Sequence, residues 1–263
     1  MKRLLIAGLA LVLFVPVCAF AQSAFTGTWK MDPTTVHQSG QPLVMSLTNG
    51  MYHCNCTPPI NVKADGQDHA VTGHPGFNTV AIKVMNDHSI QETDKKDGKV
   101  VSSSTFTVAS DGKTATSELT IYQNGSEIVN GKAAYGRVAK GAHGSNAVAG
   151  SWRLSHVVGA SGNGLISTYK VDGKNISYSD PTGDSYTAEI NGKAVPYTDG
   201  SGVTGTTVAV KREGKNTLRE TFYRDGKVTR WDSMTVAADG KTMKTHGHNV
   251  KADRSMTFVS NKQ

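Results

Sequence analysis

The 263-residue chain is 37% hydrophobic and 19% charged, with a formal net charge of +7 and three cysteines. So few cysteines exclude a disulfide-framework scaffold. The basic residues are scattered, mostly as the Lys of Asp-Gly-Lys turns, which argues against a nucleic-acid partner.

Met1–Ala21 reads as a signal peptide. Lys2 and Arg3 form a positive start, Leu4–Val17 an apolar run, and Ala19-Phe20-Ala21 a small-x-small cleavage site. The run is shorter than the roughly 20 residues a spanning helix needs. No later segment is long and apolar enough to span as a helix, so the mature chain is expected to have no transmembrane segment and to be secreted or periplasmic. Cleavage removes Cys18 and leaves Cys54 and Cys56.

From Gln22 onward the chain is punctuated by turn pairs. They fall at Asn49-Gly50, Asp65-Gly66, Asp97-Gly98, Asp111-Gly112, Asn124-Gly125 and Asn130-Gly131, then at Asp172-Gly173, Asn191-Gly192, Asp225-Gly226 and Asp239-Gly240. Asn and Asp tolerate the left-handed region and Gly has no steric cost there, so these pairs favour the primed turns of β-hairpins. Between them the apolar period is two, as in Val80, Ile82 and Val84, or Phe106 and Val108. The spacing predicts an all-β chain of hairpin-connected antiparallel meanders.

The meander occurs twice. Ile90–Thr114 and Leu218–Thr242 align without a gap, sharing Glu-Thr, Asp-Gly-Lys-Val, Thr-Val-Ala and Asp-Gly-Lys-Thr. Gly27-Thr28-Trp29-Lys30-Met31 heads one copy and Gly150-Ser151-Trp152-Arg153-Leu154 the other. The division expected is therefore 1–21 signal peptide, 22–138 first repeat, 139–148 linker and 149–263 second repeat. Each repeat holds about eight short strands, enough for a small barrel that side chains fill or that holds one small ligand. One large barrel or a sandwich combining both copies is the alternative.

The Gly-x-Trp openings, with Thr79–Lys83, Gly98–Val101 and Asp111–Thr114, resemble the secreted bacterial lipocalin-like proteins of calycin type. The second copy carries the same pattern at Thr207–Lys211, Gly226–Val228 and Asp239–Met243. The resemblance implies tandem small barrels, with Trp29 and Trp152 plugging their closed ends. It also implies a last-strand Arg packed on the first-strand Trp, a role assigned to Arg137 opposite Trp29. The second copy offers no matching Arg.

Several residues carry candidate chemistry. Cys54-Asn55-Cys56 puts two sulfurs on one strand face, as a local disulfide, as two inert thiols or as half of a soft-metal site. His246-Gly247-His248 is a second half-site, so neither pair completes a metal centre alone. Glu92 and Glu220 occupy equivalent positions, and Arg230 and Asp232 share a face with Met234. Such charges either line a barrel and need partners, or sit at a wet rim and pair with each other, the plainer reading. The small Ser102 and Ser104, with Phe106, leave room for a ligand in the first copy. Trp231 lies on the opposite face from Met234 and suits a protein partner or a copy–copy contact.

No G-x-S-x-G, H-E-x-x-H or phosphate-binding loop occurs. The chain therefore reads as non-enzymatic and without a cofactor. It is expected to be an exported binding protein for a small apolar or amphipathic molecule, at Trp29, Ser102, Ser104, Phe106, Arg137, Trp152, Arg230 and Asp232. The alternative is an envelope interaction module with filled barrels.

Overall fold

The structure, a computed structural model, describes residues 23–200 and 202–263. The signal peptide read in residues 1–21 lies outside them. No α-helix occurs among the described residues, and the regular structure is antiparallel β, with a single 3-10 turn at Gly162–Leu165.

The first copy supplies β1 (Gly27–Gly40), β2 (Leu43–Thr48), β3 (Met51–Cys54), β4 (Ile60–Lys63) and β5 (His69–Ala70). It continues with β6 (Thr79–Asn86), β7 (Ser89–Lys96), β8 (Lys99–Val108), β9 (Thr114–Gln123) and β10 (Ser126–Lys140). The second supplies β11 (Gly150–Ala160), β12 (Ile166–Asp172), β13 (Asn175–Ser179), β14 (Ser185–Glu189) and β15 (Val195–Asp199). It ends with β16 (Gly202–Gly214), β17 (Thr217–Arg224), β18 (Lys227–Val236), β19 (Thr242–Asn249) and β20 (Arg254–Lys262).

These strands form two ten-stranded sheets. One is a closed barrel of β1 followed by β12 to β20, and the other runs β4-β3-β2-β11-β10-β9-β8-β7-β6-β5. The leading strand of each copy thus completes the sheet built by the other. β1 pairs with β12 and β20, with Lys30 opposite both Ile166 and Asn261. β11 pairs with β10 and β2, with Trp152 opposite both Arg137 and Leu43. Residues 43–160 therefore form one sheet from contiguous chain, inserted between β1 and the rest of the closed barrel. Below, the sheet of β2 to β11 is the first barrel and the closed one the second.

The turn chemistry places most hairpins as expected. Asn49, Asp97, Asn124 and Asp225 all have φ near +50°, and each is followed by a Gly with φ between +71° and +80°. Both central residues of these turns are thus left-handed, the geometry that matches strand twist. Asn130-Gly131 differs and lies inside β10. Gly131 pairs with Leu119 on one side and Ala160 on the other, and Asn130 N–H donates to Ser161 Oγ at 3.1 Å. Pairing on both flanks holds the pair extended despite its turn-forming residues.

Each sheet encloses its own core. Val80, Ile82, Ile90, Phe106 and Trp152 anchor the first, while Trp29, Ile176, Val208, Leu218 and Met234 anchor the second. The two tryptophans are fully buried, and each indole N–H donates to the carbonyl four residues upstream, Phe25 and Val148, at 2.9 Å. Val100 and Val228, at the strand ends away from the tryptophans, remain about two-fifths exposed. One end of each barrel is therefore plugged and the other open.

Candidate binding cavities in the barrels

At the plugged end of the first barrel the Arg137 guanidinium lies 4.0 Å from the Trp152 ring centroid. Its Nη1 and Nη2 donate to the Ala149 and Ala147 carbonyls at 2.9 and 2.6 Å, and its Nε to the Gly112 carbonyl. The sequence reading set Arg137 opposite Trp29. The exchange of leading strands moves Trp152 there instead. Trp29, in the second barrel, is covered by the Lys262 ammonium at 5.2 Å. This lysine, which follows Asn261 near the end of β20, stands where the second copy has no Arg. Arg137, Trp29 and Trp152 thus close the barrels rather than line their cavities.

The second barrel holds a cavity of about 150 Å³ lined by Tyr169, Tyr178, Tyr186, Tyr197, Phe222 and the charged Glu220, Arg230 and Asp232. The tyrosines come from consecutive short strands β12 to β15, so their rings form a continuous arc. Neighbouring centroids are 5.2, 5.6 and 6.5 Å apart, and Tyr197 meets Phe222 edge-on at 5.5 Å. Buried hydroxyls need partners. Tyr186 donates to Glu220 Oε1, Tyr178 to Asp180 Oδ2 at 2.9 Å, and Tyr197 to Asp184 Oδ2 at 2.6 Å.

Glu220 is only 4% exposed. Burial, then the neighbouring Asp232 charge, pushes its pKa up to about 7, against the pull of Tyr186 and Arg230. Arg230 and Asp232 pair at 2.8 Å, with Arg230 half-exposed and its guanidinium 4.1 Å from the Phe222 centroid. The rim reading describes Arg230, then, and fails for Glu220. Alternation gives the face on which a residue lies and not its depth.

The first barrel's cavity is smaller, about 100 Å³, and is lined by Met45, Tyr52, Glu92, Ser104, Phe106 and Tyr135. Of the two serines only Ser104 lines this cavity, while Ser102 borders the cleft between the barrels, and Phe106 packs against Tyr135 at 5.5 Å and Trp152 at 5.3 Å. Where the second barrel has Phe222, Arg230 and Asp232, this one has Asp94, Ser102 and Ser104. Ser102 Oγ donates to Asp94 Oδ2 at 2.5 Å, while the buried Asp94 Oδ1 has no donor. Glu92 lies beside it, and burial followed by the Asp94 charge raises the Glu92 pKa. Burial likewise raises the Asp94 pKa, so both carboxyls of this pair resist ionisation.

Cys54 and Cys56 are joined in a disulfide, and both border this cavity. Thiol titration of the folded, unreduced mature chain is expected to find no free thiol, and two after reduction. A titration that finds two before reduction overturns the pairing.

On the outer wall of the second barrel Trp231 sits between His246 and His248, with ring centroids 5.1 and 5.5 Å away, beneath the Arg219 guanidinium at 4.1 Å. These partners all belong to the same barrel, whereas the barrels meet through β1 and β11, as where Arg153 donates to the Gly40 carbonyl. Among the described residues no three His, Cys, Asp or Glu side chains come together to hold a metal ion.

No family model matches this chain, and no curated protein matches it. Among solved structures it is similar to a double mutant of transferrin-binding protein B from Haemophilus parasuis, at 11% identity and a TM-score of 0.23. The match covers 87% of this chain and 45% of that one, so the chain spans under half that protein's length. A likeness this slight carries no argument about function.

Proposed function

We propose that this is an exported, non-enzymatic binding protein whose second barrel takes a small amphipathic molecule. The observation that carries the reading is the cavity around Glu220. A closed barrel keeps a buried carboxyl, a tyrosine arc and an Arg–Asp pair converging on about 150 Å³ of empty space. A cavity of about that volume has room for a benzene-sized ligand. Phe222, Met234, Met243 and Phe258 supply apolar walls, and Glu220 and Arg230 offer a donor and a cation to the ligand's polar end. Export rests on the leader read in residues 1–21, and the Cys54–Cys56 disulfide suits an oxidising compartment.

The test is native mass spectrometry of the mature protein with a panel of small phenols, aryl amines and short-chain alcohols. One bound molecule per chain is expected, with about tenfold weaker binding in Arg230→Ala, the scale of one lost charge-assisted hydrogen bond. Absence of any bound panel member, with no co-purified mass, favours the envelope interaction module with filled barrels.

A further inference from the structure

Between the barrels runs a cleft of about 580 Å³, larger than either barrel cavity and within the range of small-molecule sites. Its apolar lining comes from the first barrel, chiefly Phe77, Val100, Val101, Ile121, Tyr122 and Ile128. Each of these side chains is at least partly open to water. The second barrel walls the other side with Thr182, Asp184, Asp199 and Gly200. Gln123 ties the walls together, its Nε2 donating to the Gly200 carbonyl at 2.9 Å and the Thr182 carbonyl at 3.4 Å. Arg224 adds a second tie, to the Gly73 carbonyl at 3.1 Å. The cleft is thus held between the barrels by these ties, with a mostly apolar floor whose side chains stay partly open to water among the described residues.

Its two rims differ in charge balance, with two lysines and one aspartate on the first-barrel side and only aspartates on the second. Lys96 and Lys99 stand on the first-barrel rim at the β7–β8 turn. Among the described residues neither lies within ion-pairing distance of a carboxylate. Asp97 between them is engaged with Asn78, accepting from its Nδ2 at 2.7 Å and donating its own N–H to Asn78 Oδ1 at 3.0 Å. The opposite rim is acidic, with Asp184 held by Tyr197 at 2.6 Å and Asp199 beside Gly200. A purely anionic head meets the aspartates, and a purely cationic head meets the lysines. A head carrying both charges satisfies both rims.

We infer that this cleft binds a single-chain amphiphile with a zwitterionic head, its chain along Val100, Val101, Ile121 and Ile128. The head's anionic group lies against Lys96 and Lys99, and its ammonium against Asp184 and Asp199. The site is separate from the second-barrel cavity, because the cleft lies outside the Asp184–Tyr197 pair and the cavity inside it.

The experiment is calorimetric titration of the mature protein with dodecylphosphocholine, dodecanoate and dodecyltrimethylammonium, each below its micelle concentration. Saturable binding of one phosphocholine amphiphile per chain is expected, at least about tenfold tighter than either singly charged probe, as one unmatched charged contact would give. Lys96→Glu with Lys99→Glu is expected to erase that preference and improve the cationic probe. Val100→Asp, at an exposed position tolerant of a polar side chain, is expected to weaken all three probes. Val158→Asp, an exposed site on β11, serves as the control and leaves binding unchanged. Equal affinities for the three probes, an unchanged preference in the double lysine variant, or non-saturable uptake would each overturn the inference.

Discussion

Trp29→Ala is expected to destabilise the second barrel by about 3–5 kcal/mol, the cost of removing a fully buried indole, and to leave the first barrel folded. Trp29 heads the first copy in sequence, so a fold of two separate copies places the damage in the first copy. The pairing places it elsewhere. Trp29 lies opposite Ser167 and Lys262, is packed among second-barrel residues, and has no exposed surface. Its loss opens a cavity beneath Lys262 and removes the indole donor from the Phe25 carbonyl. Trp152→Ala should do the reverse and spare the second barrel. Native-state hydrogen exchange checks both variants. Trp29→Ala should lose protection across β12 to β20 and keep it across β6 to β9. Faster exchange confined to β2 and β10 would show that the leading strands are not exchanged.

The second large effect is a pH dependence centred on Glu220. An acid whose folded pKa lies above its ordinary value of 4.5 is charged more easily in the unfolded chain. Below about 4.5 both states hold the proton and the group costs nothing. As pH rises toward 7 the unfolded chain releases it first, so stability falls. Above 7 the folded protein carries a buried carboxylate at a constant penalty. The shift from 4.5 to about 7 corresponds to about 3 kcal/mol. Glu220→Gln keeps an acceptor for Tyr186 and replaces the acid proton by an amide donor. The variant is expected to melt higher than the parent at pH 8 and close to it at pH 4. Thermal melts across this range decide the matter, and a variant with the parent's full slope would place the titrating group elsewhere. Part of the slope should persist, because burial raises Glu92 and Asp94 in the same direction.

Much of this fold can be read from local chemistry. The Asn-Gly and Asp-Gly pairs that close hairpins need two consecutive left-handed residues, and four of them adopt that geometry. Val80, Ile82, Val208 and Val210 alternate and are buried as alternation predicts. The exchange of leading strands is not local. Gly-Thr-Trp and Gly-Ser-Trp open their strands with the same indole contact to a carbonyl four residues back, so either fits under either barrel. The stretch read as a linker, 139–148, is the connection between β10 and β11. Arg137 donates to the carbonyl of Ala147 within it and of Ala149 just after it, where β11 returns to pair with β10. The charged sites were legible in kind and not in depth. Arg230 and Asp232 pair as an accessible rim would have them do, while Glu220 lies one strand away and is sealed.

The insertion of one barrel inside the other also sets an order of assembly. Residues 43–160 can close their sheet from contiguous chain as soon as they are available, whereas β1 must wait for β12 on one edge and for β20, the last strand, on the other. Thr35 Oγ1 accepts from the Val259 N–H across 224 residues of sequence. Until β12 emerges both edges of β1 are bare, and until β20 arrives one edge still is, which makes β1 the kind of segment that pairs with the wrong chain. A protein built this way has its most aggregation-prone moment early in synthesis, and a holdase that shields β1 would act on the nascent chain rather than on the finished one.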